Sequence, residues 1–544
     1  MRIIFLIAAA VAFACAAPVA AAKAPRALTS AQWRQDLRFI AAEMERRHVD
    51  LYHHVSRARF KAAVADLDAR IPTLGRNQII VGMMRIAAMV GDGHTRIEPR
   101  KDKAFEFPSL PIKLYDFDDG IFVRAVAPGH EALLGAKIEA VGGVPIDEAR
   151  KRIEPLVSAD NQMAARMMVP LYLAMPDILQ ALGLSARRDA ASLTFAKDGR
   201  RWTVEVPAGA IDPPWPPDTD ISLVTPEGWI DAAKGPVPMW LQEPLNLHRL
   251  IADPGRGFLY TQLNQGTEYK NESLDAYGER IAALARQQNP RAVIFDVRLN
   301  YGGNGDLRNG LLRDLIRLED EDTRLFVLTA RGSFSATQFM LDDLARLSHA
   351  VLVGEPASGR PTSYGDAYRS VMPNSGITVR TSIRYWKDGQ DDRPWTPIDV
   401  AVPYRFADYA AGRDPVLEAA IGYRLSPSLL ETLNAAAKTG GPAAAIAALP
   451  AWADDPLHRY SDFAGDAGRF IGQMDDNPSA LAASRWLALR YPRNGDAQTL
   501  YALLAEAVGT KSDALSAARA ALALDPNNRQ ARSVLDWAVA PNPD

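Results

Sequence analysis

Cysteine is almost absent from this chain. The one thiol in 544 residues is Cys15, and it falls in an N-terminal stretch with the form of a secretory signal. Met1-Arg2, an apolar run from Ile3 to Ala14 and the small residues Ala20-Ala21-Ala22 place the expected cleavage near Ala22. The expected mature chain then has no thiol, which excludes cysteine catalysis and disulfides. Ala12-Phe13-Ala14-Cys15 lacks the leucine three residues before the cysteine, so lipidation is not expected. Beyond the signal no stretch reaches about 18 uninterrupted apolar residues, and no membrane span is expected. An excess of one charge is missing too. The 62 basic and 65 acidic residues leave a net charge of -3, which gives no footprint for a nucleic-acid partner. The expectation is an exported, periplasmic, multidomain α/β protein with ample material for its cores.

What is present changes along the chain. Residues 23–104 read as a helical domain: Ser30 to Trp33 opens a helix carrying Leu37, Ile40 and Met44, and Ile79 to Val90 repeats the three-and-four spacing. His48, His53 and His54 cluster around Tyr52 without the spacing of a metal motif and are read as surface or packing residues. The block ends in Gly91-Asp92-Gly93-His94-Thr95, a tight turn that delivers His94 beyond the helix end. Residues 105–208 turn β-rich. Gly120 to Val123 and Ala136 to Gly143 read as strands and a turn, and Ile146 to Val157 as a helix. That order resembles a PDZ-type module, which would bind an extended chain end as an added strand. A Pro-rich linker over 209–237, with Asp212-Pro213-Pro214-Trp215-Pro216-Pro217 at its heart, leads into a core at 238–425. There strands and helices alternate, as a largely parallel sheet requires. From 426 to 544 the chain is Ala-rich and helical. Pro492 and Pro526 stand one 34-residue period apart, which suggests tetratricopeptide-like helix pairs and a docking surface for a protein partner.

Two turns in the core carry chemistry. The apolar run Leu325 to Leu328 reads as a buried strand, and a helical pattern begins directly behind Ser335. A serine at a strand-to-helix turn meets free backbone N–H groups and the positive end of a helix dipole. The plainer alternative is that Ser335 caps the helix, with Gln338 completing a capping box. Earlier, the strand Val293 to Val297 runs into Asn300-Tyr301-Gly302-Gly303-Asn304-Gly305, whose glycines let backbone N–H groups approach a ligand closely. A phosphate loop is excluded there by the missing Gly-Lys-Ser/Thr ending.

Ile-Phe-Asp-Val-Arg-x-Asn-x-Gly-Gly, then Ser-Ala-Thr-Gln, then Leu-Val-Gly-Glu-Pro, preceded by Gly-Asp-Gly-His-Thr, resembles the tail-specific or carboxyl-terminal-processing serine peptidases, including their tricorn-like branch. The likeness runs over roughly residues 30 to 425 and implies a crotonase-type α/β core with a PDZ module before it. It implies Ser335 as nucleophile and the backbone N–H groups of Gly303 and Ala336 as oxyanion donors. The general-base lysine of the processing peptidases has no counterpart, because Arg360 stands there and a guanidinium does not deprotonate. The tricorn-like branch implies His94 as the base instead. For its orienting carboxylate the branch points to Asp392 first and Asp391 second. No metal or organic cofactor is implied, and the substrate is a polypeptide, engaged through its C-terminus if the PDZ likeness extends to binding. A catalytically silent peptide-binding protein on the same fold is the alternative, and a serine esterase a third reading.

Overall fold

The computed structural model describes residues 27–99, 103–209, 223–320, 322–387, 393–424 and 427–541. The signal segment, the Pro-rich run at 212–217 and the pair Asp391 and Asp392 lie outside the described residues.

Three helices open the chain: α1 (Ser30–Arg47), α2 (Arg57–Arg70) and α3 (Arg76–Ala88). Thr29 and Gln32 form a capping box on α1, and Leu37, Ile40 and Met44 are fully buried along one face. An antiparallel sheet follows, with β1 (Ile112–Phe117), β2 (Gly120–Val126), β3 (Lys137–Val141), β4 (Val144–Pro145), β5 (Ala190–Lys197), β6 (Arg200–Pro207) and β7 (Ile230–Asp231). Its order is β1-β2-β3-β5-β6, with β4 on β3 and β7 on β2. Between β4 and β5 lie α4 (Ile146–Ile153), α5 (Gln162–Leu173) and α6 (Pro176–Ala181). α4 is shorter than its sequence pattern predicts, because Pro155 disfavours helix at Glu154 and the chain tightens into a 3-10 turn over Glu154–Leu156. The helices and this sheet share one hydrophobic core, from Trp33 through Met84 to Phe195.

The second sheet has six strands in the order β17-β12-β11-β10-β9-β8. These are β8 (His248–Asp253), β9 (Phe258–Leu263), β10 (Ala292–Asp296), β11 (Arg324–Thr329), β12 (Val351–Gly354) and β17 (Val400–Ala401). All pair in parallel except β8, which runs antiparallel to β9 at one edge. Side chains alternate between two covered faces. Leu259, Val293, Phe295 and Val327 pack beneath α7 (Leu274–Gln288), α8 (Arg308–Ile316) and α9 (Ala336–Leu347). Tyr260, Ile294, Phe326 and Leu328 face Phe117 of the first sheet, together with α10 (Phe406–Ala410) and α11 (Pro415–Ile421).

Between β12 and β17 the chain leaves the core as two antiparallel pairs. β13 (Ser363–Gly365) pairs with β16 (Arg384–Trp386), and β14 (Tyr368–Val371) with β15 (Thr378–Thr381). This excursion reaches the N-terminal helices: Met372, Ile377 and Val379 enter their core. Arg96 and Arg380 exchange both backbone hydrogen bonds, at 3.0 and 2.9 Å, which stitches the turn bearing His94 to the core.

The tail contains α12 (Leu429–Ala453), kinked at Gly440 and Gly441, then α13 (Phe463–Gly472), α14 (Asn477–Arg490), α15 (Gly495–Val508), α16 (Lys511–Leu524) and α17 (Arg529–Val539). α14 and α15 recur as α16 and α17 with each start displaced by 34 residues. The tail joins the core where the Ile398 N–H donates to the Tyr460 carbonyl at 3.2 Å.

Candidate active site

Ser335 sits between β11 and α9 in a backbone conformation that side chains rarely adopt, φ 54° and ψ −123°. It does not cap the helix. Its side chain accepts nothing from the first turn, and Gln338 has turned away to donate to Thr396 Oγ1 at 2.6 Å. The hydroxyl is therefore left at the helix N-terminus for other use. Asn300 fixes the neighbouring loop against it. The Asn300 carbonyl accepts from Phe334 N–H at 3.1 Å and from Thr337 Oγ1 at 2.9 Å, while its Oδ1 accepts from Gly302 N–H at 3.0 Å.

Both loop glycines are required by space. A Cβ on Gly302 would stand 2.7 Å from Ser335 Cβ, and one on Gly303 2.3 Å from the Gly266 carbonyl oxygen. Gly303 has φ 146°, and a backbone bridge to Gly266 holds it. Among the described residues the N–H groups of Gly303 and Ala336 have no backbone acceptor. Both residues line a cleft of about 310 Å³ with Ser335, His94, Phe339, Gly365 and Trp386.

His94 arrives at this cleft from the N-terminal helices. Its Nε2 lies 3.0 Å from Ser335 Oγ, and its ring stacks on Phe334 with centroids 4.6 Å apart. Nδ1 is buried without a well-formed hydrogen bond. The Tyr364 backbone favours protonation of the ring. Burial, and next the charge of Arg96, push the His94 pKa down to about 4 against the opposing pull of Asp92. The imidazole is therefore neutral near pH 7, as a general base must be.

The turn is held by carboxylates whose part the sequence did not reveal. Asp92 Oδ1 accepts from the N–H groups of His94 at 2.9 Å and Thr95 at 2.6 Å, and from Ser382 Oγ at 2.8 Å. Asp160, between α4 and α5, accepts from Gly93 N–H at 2.9 Å. Burial, with the Asp92 charge beside it, pushes Asp160 up to about 7. The Asp92 contacts to His94 and Thr95 are local, but nothing in spacing signals those of Ser382 and Asp160, which lie 290 positions from Asp92 and 67 from Gly93.

The glutamate of Gly354-Glu355-Pro356 has a structural place. Glu355 pairs with Arg331 at 2.7 Å and with Arg166 at 3.4 Å, locking the serine loop to α5. Asp296 and Arg298 of the Ile-Phe-Asp-Val-Arg strand form a buried ion pair at 2.6 Å, closed by Asp414 at 2.8 Å.

No protein-family model matches the sequence, and no curated protein matches it. Solved structures do. Mature CPAF complexed with lactacystin is similar at 13% identity and TM-score 0.49, over 70% of this chain and 96% of that one. The photosystem II D1 C-terminal processing protease is similar at 16% identity and TM-score 0.33, over 71% and 99%. The tricorn protease is similar at 13% identity and TM-score 0.31, over 72% of this chain and 36% of that one. The structural neighbours are tail-specific peptidases. In this chain the hydrogen bond to Ser335 is made by His94.

Proposed function

We propose that the protein is an exported serine peptidase that cleaves polypeptides through an acyl-enzyme. Ser335 Oγ attacks the scissile carbonyl, and His94 Nε2 takes its proton and returns it to the leaving amine. The oxyanion is received by the N–H groups of Gly303 and Ala336. The observation that carries this reading is the 3.0 Å approach of His94 Nε2 to Ser335 Oγ, with the serine strained out of its capping role. The orienting carboxylate named from the sequence, Asp392 or Asp391, lies outside the described residues.

The antiparallel sheet fits the PDZ-like role of presenting an extended chain. The 34-residue recurrence of α14–α15 and α16–α17 supports a tetratricopeptide-like docking arm. Fluorophosphonate labelling of the mature protein tests the central claim. A single adduct on Ser335, lost in Ser335→Ala and in His94→Ala, is expected. Folded protein that takes no label from neutral to mildly alkaline pH sinks it in favour of a binding protein.

A further inference from the structure

His94 has no carboxylate partner among the described residues, yet a buried carboxylate lies two positions away in the chain. The side chains of Asp92 and His48 are 1% and 0% exposed, and His48 Nε2 meets Asp92 Oδ2 at 2.9 Å. His48 Nδ1 accepts the Asp50 N–H at 3.0 Å, which leaves Nε2 to donate to Asp92. Burial raises the Asp92 pKa, but the hydrogen bond and charge of His48, then Ser382 and the Thr95 N–H, outweigh it and hold it at about 2.

The two histidines share a support. Tyr364 packs its ring on His48 at 5.2 Å, and its backbone favours protonation of the His94 ring. The remaining charges that act on the His94 ring, Arg96 on the same turn and Arg380 on β15, both disfavour its protonation. Asp160 acts on the turn through Gly93 N–H.

Resting on the peptidase reading, we infer that Asp92, fixed by His48, is the positioning residue of the base. It presents His94 to Ser335 through the backbone of the turn and supplies the buried negative charge that the imidazolium requires. Asp92 thus does through the backbone of the turn what a triad carboxylate does by direct contact with the ring. The Asp92 charge also offsets the two arginines that act on the base: without it, protonation of the ring would meet uncompensated positive charge in a buried site.

The test uses the full mature chain, with a fluorophosphonate as the probe and its rate of reaction at Ser335 followed from about pH 4 to about pH 9. Asp92→Asn keeps an oxygen for the turn's N–H groups and removes the charge. It is expected to lower the rate about 10- to 100-fold and to raise the rate at about pH 4 relative to that at about pH 7, because loss of a nearby anion lowers the pKa of the base. A merely structural role would change the melting temperature and leave that ratio alone. If Asp92→Asn does not fold, His48 carries the test. His48→Leu removes the donor and is expected to lose about tenfold. His48→Gln, which supplies both a donor to Asp92 and an acceptor for Asp50, is expected to restore most of the loss. Folded variants that label at the unsubstituted rate overturn the inference, as does a loss confined to Asp392→Asn. An unsubstituted protein that takes no label overturns the peptidase reading and this inference with it.

Discussion

His94 Nε2 stands 3.0 Å from Ser335 Oγ although 241 positions separate the two residues. Three devices close that distance: the Arg96–Arg380 backbone bridge, the Asp92 contacts to Thr95 and Ser382, and the stacking of Phe334 on the imidazole. Only the Asp92–Thr95 contact is local in sequence.

The first prediction concerns pH. His94 is pushed down from the ordinary 6.5 to about 4, so the labelling rate is expected to stay high on acidification past pH 6.5 and to fall only near pH 4. A fall centred near 6.5 would show an ordinary exposed imidazole. The same shift acts on stability. Its folded pKa lies below the unfolded one, so between 6.5 and about 4 the unfolded chain binds a proton that the native site refuses, and stability drops as pH falls. Asp160 works in the opposite sense. Its folded pKa is raised to about 7 from 3.8, so its contribution is present at low pH and lost as pH rises through 7. Asp160→Asn should therefore gain stability relative to the parent more at pH 8 than at pH 5, measured by denaturant melts.

Much of this was legible in the chain. β9 spans Phe258–Leu263 and β11 leads to Ser335 as the apolar runs predict, because buried parallel strands show as short continuous hydrophobic stretches. The nucleophile turn and the glycine loop were readable because each demands special residue types at fixed local spacing. What stayed hidden is what the fold brings from afar. Asp160 and Ser382 are ordinary residues until Gly93 and Asp92 arrive beside them. The apparent capping box at Ser335 and Gln338 misled because the motif matches the helix start, while the strained backbone sends both side chains elsewhere. The antiparallel edge strand β8 carries no sign of its direction in its composition.

The oxyanion hole yields a second prediction. Gly303→Ala would force a Cβ to within 2.3 Å of the Gly266 oxygen, and Gly302→Ala to within 2.7 Å of Ser335 Cβ. Either change must displace the loop that carries the Gly303 N–H. A loss of about 10²- to 10³-fold in labelling rate is expected for each, with the fold retained by circular dichroism. Unaltered rates would remove Gly303 from the site.

A third prediction separates the motif glutamate from catalysis. Glu355 is buried in ion pairs with Arg331 and Arg166. Burial alone would raise its pKa, but the two arginines outweigh this and hold it low. Glu355→Leu leaves two guanidinium groups without their partner and should cost about 3–5 kcal/mol in denaturant unfolding. Since the carboxylate's contribution exists above its unfolded pKa and fades as pH falls through the folded one, the deficit should narrow under acid conditions. A substitution with full activity lost but stability intact would place Glu355 in the chemistry instead.

The last prediction turns on strain. Ser335 holds φ 54° and ψ −123°, a region that costs a residue with a Cβ about 1–3 kcal/mol and glycine almost nothing. Ser335→Ala removes the hydroxyl but keeps the Cβ, and so keeps the strain. Ser335→Gly removes both. Glycine also loses more backbone entropy on folding, about 0.4–1 kcal/mol, so the net gain expected for Ser335→Gly over Ser335→Ala is about 1 kcal/mol. Both variants should be inert to fluorophosphonate. A glycine variant less stable than the alanine one would mean that the turn is relaxed. A more stable one would mean that the chain stores strain at Ser335 to hold its hydroxyl toward His94, the signature of a site selected for activity at the expense of stability.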